Sequence, residues 1–455
     1  MGARVALAER DRIGGECLHT GCIPSKALLA AAERVHAMRT AHRVGIEAHQ
    51  PVVNFARVLA HVRDAIAVAG AQDTPEHLRS AGVEVVEAEA RFLGPGEIAA
   101  GGRTLRYRAA LIATGSEPAI PAIEGLSDAD PLTNETVFGL DELPRRLAIL
   151  GGGPSGCELG QAFARLGSEV TLFESEERLL GREEPESSSL VAEVLREEGV
   201  DVRTRARVEQ VARNDGAARL HLAPGERIEV DRILVAAGRR VETASLGLER
   251  VGVLTSPTGA VEVDRHLRTG GDHVFAAGDV TGTLELTHFA AYQSLVAVAN
   301  ALFGLRRRAE TGWIPWATFT DPEIARVGLT EAECRARLGG GTAIYRHDYA
   351  RNDRAITAGR ARGFAKLVAD RRGRLLGATI AGPAAGESIA EAARLIREHK
   401  KVSHLSQMVH VYPTFTEGPA RAADEIWERR YLTPSTRRLT RPLLGLLRAL
   451  DRPRS

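Results

Sequence analysis

Two cysteines, Cys17 and Cys22, stand with four residues between them in the stretch CLHTGC, directly ahead of Ile23-Pro24-Ser25-Lys26. Thiols spaced this way bind a metal or cycle between dithiol and disulfide. Tetrahedral zinc needs four ligands, and His19 is not joined by any nearby Cys or His cluster, so no metal site is expected and a redox pair is the better reading. From Pro24 to about Met38 the apolar spacing is helical, with Pro24 suited to a first turn. The thiols therefore sit at a helix entrance, where the macrodipole favours the reactive thiolate. Basic charge is almost wholly arginine, with lysine only at 26, 366, 400 and 401, so Lys26 beside the pair stands out. Cys157 and Cys334 read as inert fillers.

A second motif is Gly151-x-Gly153-x-x-Gly156, which follows the apolar stretch Leu147 to Leu150 and opens a helical stretch from Cys157 to Leu166. Strand-like Val170 to Glu174 comes next and ends in an acid. Glycines here permit a tight turn and close approach of a pyrophosphate, and free amides at the helix start supply positive potential for it. Glu174 is placed to accept hydrogen bonds from an adenosine ribose. Its charge repels a 2′-phosphate, so NADH is favoured over NADPH, with Arg178 bearing on that choice.

The elements that must position these groups can be read in outline. A chain of 455 residues exceeds one hydrophobic core and predicts two to four domains. With 44% apolar and 26% charged residues and a formal net charge of +1, it has no field for gathering nucleic acid, which is excluded as a partner. Neither a membrane-length apolar run nor a signal peptide is present, and the expected compartment is the cytoplasm. Ala3 to Glu9 reads as a buried strand, Phe55 to Val68 as a helix, and Val83 to Val86 and Ala110 to Ala113 as strands. Ile233 to Ala236 and Val274 to Ala276 read as further strands, and Phe289 to Leu302 as a helix. From about Trp313 the pattern becomes α+β. Leu443 to Leu450, in an arginine-rich tail, suits a short amphipathic helix. Docking on its own protein or a partner subunit is the expected outcome there, ahead of contact with a membrane surface.

The stretch GGECLHTGCIPSK resembles the redox signature of the pyridine nucleotide-disulfide oxidoreductases, the family of dihydrolipoamide dehydrogenase, glutathione reductase and mercuric reductase. The similarity continues in the family's order through ATG at 113 to 115, GGGPSGCE at 151 to 158, AAGR at 236 to 239, AAGDV at 276 to 280 and FTDPEIARVG at 319 to 328. The resemblance implies an α/β fold with two Rossmann-like nucleotide-binding domains, for FAD and NAD(P), plus a C-terminal α+β dimerisation domain. Implied boundaries are 1–125 and 261–311 for the FAD domain, 126–260 for the NAD(P) domain, 312–430 for dimerisation and 431–455 for a basic tail. Electrons would pass from NAD(P)H to FAD, then to the disulfide, then to a small-molecule or disulfide substrate, in a homodimer.

By the same resemblance Cys22 is the charge-transfer thiol and the more accessible Cys17 the interchange thiol, while Lys26 approaches the flavin and pairs with Glu158. FAD contacts carry over to Glu9, Gly14, Gly15, Ala90, Thr114, Gly115 and Asp279, with Leu286, Thr287 and His288 beside the flavin. Nicotinamide nucleotide contacts carry over to Gly151, Gly152, Gly153, Pro154, Ser155, Gly156, Cys157, Glu158, Glu174 and Gly238. The family's dithiol enzymes carry His-Pro-Thr-x-x-Glu in the third domain, whereas this chain reads Tyr412-Pro413-Thr414-Phe415-Thr416-Glu417, with His410 two residues earlier. Tyrosine titrates near 10 and is a poor base at neutral pH. That departure is similar to mercuric reductase, but the vicinal cysteines expected at that enzyme's C-terminus are missing. Tyr412 or His410 is the acid/base candidate, with Glu417 as the carboxylate partner.

Relatives of this type begin with a strand and a Gly-x-Gly-x-x-Gly loop for the FAD pyrophosphate, roughly 30 residues ahead of the first segment seen here. In-frame coding sequence upstream of Met1 is expected to supply it. As given, the chain is expected to hold FAD weakly, or to be a degenerate member that binds without turnover. Absorbance of the purified chain between 350 and 500 nm checks this, a stoichiometric flavin spectrum being the contrary result.

Overall fold

A computed structural model describes residues 2–214, 217–223 and 225–450. Residues 451–455 of the expected basic tail lie outside the described residues. The chain forms two compact units, one of residues 1–181 and 191–311, the other of 182–190 and 312–455.

In the first unit, alternating apolar runs produce parallel pairs, as expected of strands joined by helical crossovers. Arg146–Leu150, Glu169–Phe173, Asp201–Arg203 and Arg232–Val235 make a four-stranded parallel sheet with Glu169–Phe173 and Arg146–Leu150 at its centre. Leu147, Ala148 and Ile149 are fully buried there. Two smaller parallel sheets pair Val5–Glu9 with Val83–Glu87 and Val274–Ala276 with Ala110–Ile112. Val5 and Leu7 are partly exposed, which corrects the expectation of a buried first strand, because Val83–Glu87 covers only one edge of it.

The Cys22–Thr40 helix packs on the Pro154–Leu166 helix, with the Arg39 guanidinium donating to the Arg165 carbonyl at 2.8 Å. The latter helix begins at Pro154, three residues before the expected start, because proline fits the first helical position. A short antiparallel pair aligns Arg239 with Pro118, joining the AAGR segment to the strand after ATG. Two antiparallel meanders, Ala90–Gly94 to Arg103–Arg106 and Val208–Asn214 to Glu226–Val230, complete the unit and were not anticipated from the sequence.

The second unit is a five-stranded antiparallel sheet in the order Pro315–Thr318, Glu323–Gly328, Leu375–Gly382, Phe364–Ala369, Ala343–Asp348. The Ala390–Arg397 and Glu417–Tyr431 helices cover a core that includes Leu367, Ile380, Leu395 and Ala422. Residues 182–190 belong to this unit through charge. Glu183 accepts from the Trp316 indole at 2.7 Å and from Arg326 at 2.9 Å, while Lys366, 4% exposed, is surrounded by Glu184, Glu186 and Glu331.

Burial alone works against the Lys366 charge, but the surrounding carboxylates outweigh it and its pKa is raised; burial likewise works against the Glu331 charge, and hydrogen bonds from Arg335 and Lys366 overcome it, so that pKa is lowered. The cluster's stabilisation is thus complete at neutral pH. It is lost as pH falls through the depressed Glu331 pKa or rises through the raised Lys366 pKa. Lys366→Met takes the cation from the buried Glu184, while Glu186 keeps Arg346 and Glu331 keeps Arg335, and is expected to destabilise the protein by about 3 kcal/mol at neutral pH. Chemical denaturation should show this deficit shrinking in acid, as the carboxylates protonate.

Candidate active site

Cys17 lies inside the short helix Gly15–His19, and Cys22 opens the Cys22–Thr40 helix. Gly14 and Gly15 both take positive φ, at 100° and 66°, turning the chain out of the first strand so that the thiol segment can begin. The Cys22 sulfur is 3.5 Å from the Thr287 hydroxyl at the start of the Thr287–Phe303 helix, and the two thiols shift one another's pKa. Both cysteines are free. Cys22 is exposed and Cys17 half-buried by residue surface, while burial around the sulfurs acts on both thiols.

The shared proton decides which sulfur is charged. Hydrogen bonding from the Cys22 thiol holds the Cys17 pKa down, to about 6; burial opposes this, and Thr287 assists. The bond to Cys17 pushes Cys22 strongly upward, with burial adding to the effect. The reduced pair accordingly loses its first proton at about pH 6, with Cys17 the favoured thiolate, and it titrates as a unit.

Lys26, one turn along from Cys22, donates from Nζ to Glu158 Oε2 at 2.8 Å. The Glu158 carboxylate is buried, so a cation is the partner its charge requires. Packing of the two helices makes the pair reachable.

The glycine loop meets the demands of a dinucleotide. A Cβ on Gly156 would stand 1.9 Å from the Gly151 carbonyl oxygen, and one on Gly151, at φ 116°, would stand 2.3 Å from that of Ala236. Around Gly153 there is open space, and it starts the helix with no side-chain cap, leaving the first amides for an anion. Pro154 and Ser155 form the first turn there. Cys157 is buried with its pKa raised by burial, and Cys334 is buried in the second unit. Glu174 folds over the loop, accepting from the Gly152 amide at 2.8 Å and the Glu176 amide at 2.9 Å. Arg178 is engaged by the Gly181 carbonyl at 2.8 Å.

Other motif residues take their places in the first unit. Glu9 ends the first strand and accepts from the Asp11 amide at 2.9 Å; Ala90 begins the Ala90–Gly94 strand; Thr114 and Gly115 follow the Ala110–Ile112 strand. Leu286 precedes the Thr287–Phe303 helix, of which His288 is the second residue. Gly238, at φ 123°, turns the chain into Arg239.

Sequence reasoning passed over an arginine centre. Arg239 grips both oxygens of Glu16, one at 2.6 Å, and donates to the Ser116 hydroxyl at 2.6 Å and carbonyl at 2.7 Å. Ser116 in turn donates to Asp279 at 2.7 Å, and Asn134 donates to Glu16 at 2.7 Å. Glu16 precedes Cys17 and Arg239 ends the AAGR motif, so both adjoined selected residues, yet nothing in their spacing signals a contact across 223 positions.

Tyr412 and Glu417 belong to the second unit. The Tyr412 hydroxyl donates to Asp353 at 2.8 Å, and that bond raises its pKa. Glu417 is buried, accepting from Arg421 at 3.1 Å and the Thr414 amide at 3.3 Å. They line a polar cavity of about 280 Å³ with Asp353, Arg421 and His347. Burial lowers the His347 pKa. His410 points its Nε2 at Glu391 across 3.0 Å and its Nδ1 at the Met408 carbonyl across 3.2 Å. Among the described residues no group of three or more His, Cys, Asp or Glu side chains is arranged to hold a metal.

A dithiol at a helix start beside a dinucleotide loop, with a separate antiparallel α+β unit, defines a two-nucleotide redox protein, and comparison with known proteins agrees. The family described as pyridine nucleotide-disulphide oxidoreductase matches residues 1–294, and its dimerisation domain matches 314–423. The chain belongs to this family and is an FAD-dependent oxidoreductase. It is 40% identical over 434 residues to a mercuric reductase of Streptomyces lividans, covering 93% of this chain and 91% of that protein. It is 38% identical to a dihydrolipoyl dehydrogenase of Thermus scotoductus, covering 94% and 93%. Among solved structures, LpdA from Mycobacterium tuberculosis superimposes with a TM-score of 0.85 at 28% identity, covering 93% and 94%. The HOCl-induced flavoprotein disulfide reductase RclA from Escherichia coli does so with 0.82 at 28%, covering 92% and 93%.

Alkylation of the reduced protein by iodoacetamide should rise through about pH 6 and level off by about pH 8, whereas an ordinary thiol keeps gaining reactivity through about 8.5. Glu16 raises the Cys17 pKa through its charge, so Glu16→Gln should move the midpoint to lower pH. A midpoint near that of a free thiol would remove the assigned thiolate.

Proposed function

We propose that this chain is a homodimeric NAD(P)H-dependent reductase that passes electrons through Cys17 and Cys22 to a small disulfide-like or metal-centred acceptor. The observation that carries this is a pair of free cysteines, Cys17 in the short helix Gly15–His19 and Cys22 at the start of the Cys22–Thr40 helix, in the same unit as a dinucleotide glycine loop. FAD, when bound, supplies the two-electron carrier between the nicotinamide nucleotide and the thiols. Gly15 and Gly115, which are open turns, the tight turn at Gly14, and the polar Asp279 and Thr287 are suited to holding it. Lys26, held by Glu158, brings positive charge to the same region.

On the nicotinamide side, the amides of Gly153, Ser155 and Gly156 would receive the pyrophosphate, Pro154 having none to give. Glu174, fixed over the loop by two amides, faces the ribose and selects NADH over NADPH.

Cys17 attacks one sulfur of a disulfide substrate, forming a mixed disulfide and releasing the first thiolate. The Cys22 thiol then loses its proton and attacks Cys17, which releases the second thiolate and leaves the Cys17–Cys22 bond, oxidised by two electrons. Tyr412 is kept protonated by Asp353 and serves as a proton donor in the dimerisation unit, while both His410 ring nitrogens are directed at the oxygens of Glu391 and Met408. The relatives named mercuric reductase make Hg²⁺ one acceptor to include. Homodimer formation is supported by the match to the dimerisation domain and by the exposed run Met408, Val409, Val411 and Tyr412.

Oxidation of NADH and NADPH by FAD-reconstituted protein, with lipoamide, glutathione disulfide, Hg²⁺ and quinones as acceptors, tests the reading. Turnover with at least one acceptor is expected, faster with NADH, and silence with all of them would sink it. Cys17→Ser should abolish disulfide reduction while flavin reduction by NADH persists.

A further inference from the structure

The last helix, Pro434–Leu450, lies beyond residue 423, where the match to the dimerisation domain ends. At about 100° per residue, Leu443, Leu446 and Leu447 share one side of this helix, while Arg437, Arg441 and Arg448 share the opposite side with Arg438 next to them. The leucines are not covered by their own chain: Leu443 is 56% exposed, Leu444 52%, Leu446 59% and Leu447 48%. All four arginines are exposed as well. This corrects the expectation that the helix docks on its own protein. The helix sequence contains no acidic residue.

We propose that this helix docks on an anionic lipid bilayer surface, its leucines entering the acyl boundary and its arginines meeting headgroup charge. Water is a poor environment for a contiguous leucine face, so some surface must cover it. A transmembrane placement is ruled out, because no described helix is long and apolar enough to span a bilayer. Pairing with the same helix of a second copy is disfavoured on two grounds. The leucine stripe covers about two turns, short of the roughly three heptads that sustain a coiled coil. Pairing through the leucines would also leave both arginine rows facing outward with no acid on either helix to meet them. An anionic headgroup layer provides both missing elements, an apolar phase at shallow depth and dense negative charge. Arg452 and Arg454 follow in the sequence and add to the same charge.

Co-sedimentation of the FAD-reconstituted full chain with vesicles tests the proposal. Binding to phosphatidylcholine vesicles containing phosphatidylglycerol should exceed binding to phosphatidylcholine alone by about tenfold or more, and should weaken as salt rises. The double variant Leu446→Asp, Leu447→Asp should lose vesicle binding, and Arg437→Gln with Arg441→Gln should weaken it, with reductase turnover in solution unchanged in both. Equal or absent binding to the two vesicle types would overturn the proposal. So would leucine variants that alter the sedimenting mass of the protein but leave vesicle binding intact, since the stripe would then belong to a second copy.

Discussion

A buried carboxylate that must be paired ties the redox centre to the nucleotide loop. Glu158 sits on the inner face of the helix that begins at the glycine turn, where an isolated charge would be costly, and Lys26 answers it from the helix that begins at Cys22. The pair fixes two helix starts relative to one another. One start leaves its first amides without a side-chain cap, and the other presents a thiol. Phe55 and Phe163, with ring centroids 6.1 Å apart, add apolar contact behind that junction.

Charge around the thiols is balanced on the other side by Arg239. Glu16 adjoins Cys17 and by itself disfavours a thiolate there, and its engagement by Arg239 and Asn134 limits that effect. Because Arg239 also reaches Ser116 and lies 3.6 Å from Asp279, the motif that ends the nucleotide-binding sheet is bonded directly to the segments before the thiols and after the AAG turn at 276–278. Reactivity of Cys17 is therefore a property of the unit, set by groups from several distant parts of the sequence.

The second unit uses buried charge for a different end. Glu183 and Glu184, on a segment flanked in sequence by first-unit residues, are held by Arg326 and Lys366 of the antiparallel sheet. Arg326 also stacks on Trp316, its guanidinium carbon 4.2 Å from the ring centroid. In the loop before the Glu417–Tyr431 helix, tyrosine at 412 exchanges a proton-accepting side chain for a donor anchored on Asp353. That is a change of chemistry within an otherwise recognisable frame.

The sequence by itself determined the local devices. Helix entrances, the glycine loop, the strand that ends at Glu174 and the spacing of Cys17 and Cys22 all depend on residues within a turn or two of each other, where backbone sterics and periodicity act directly. Even the leucine and arginine faces of the last helix can be read from spacing. Tertiary structure alone decided that Thr287 meets Cys22 across 265 positions, that Arg239 holds Glu16, and that the last helix leaves its leucines uncovered. Such contacts follow from how sheets and helices stack, and stacking is fixed by the burial of whole faces, which no short window of sequence contains.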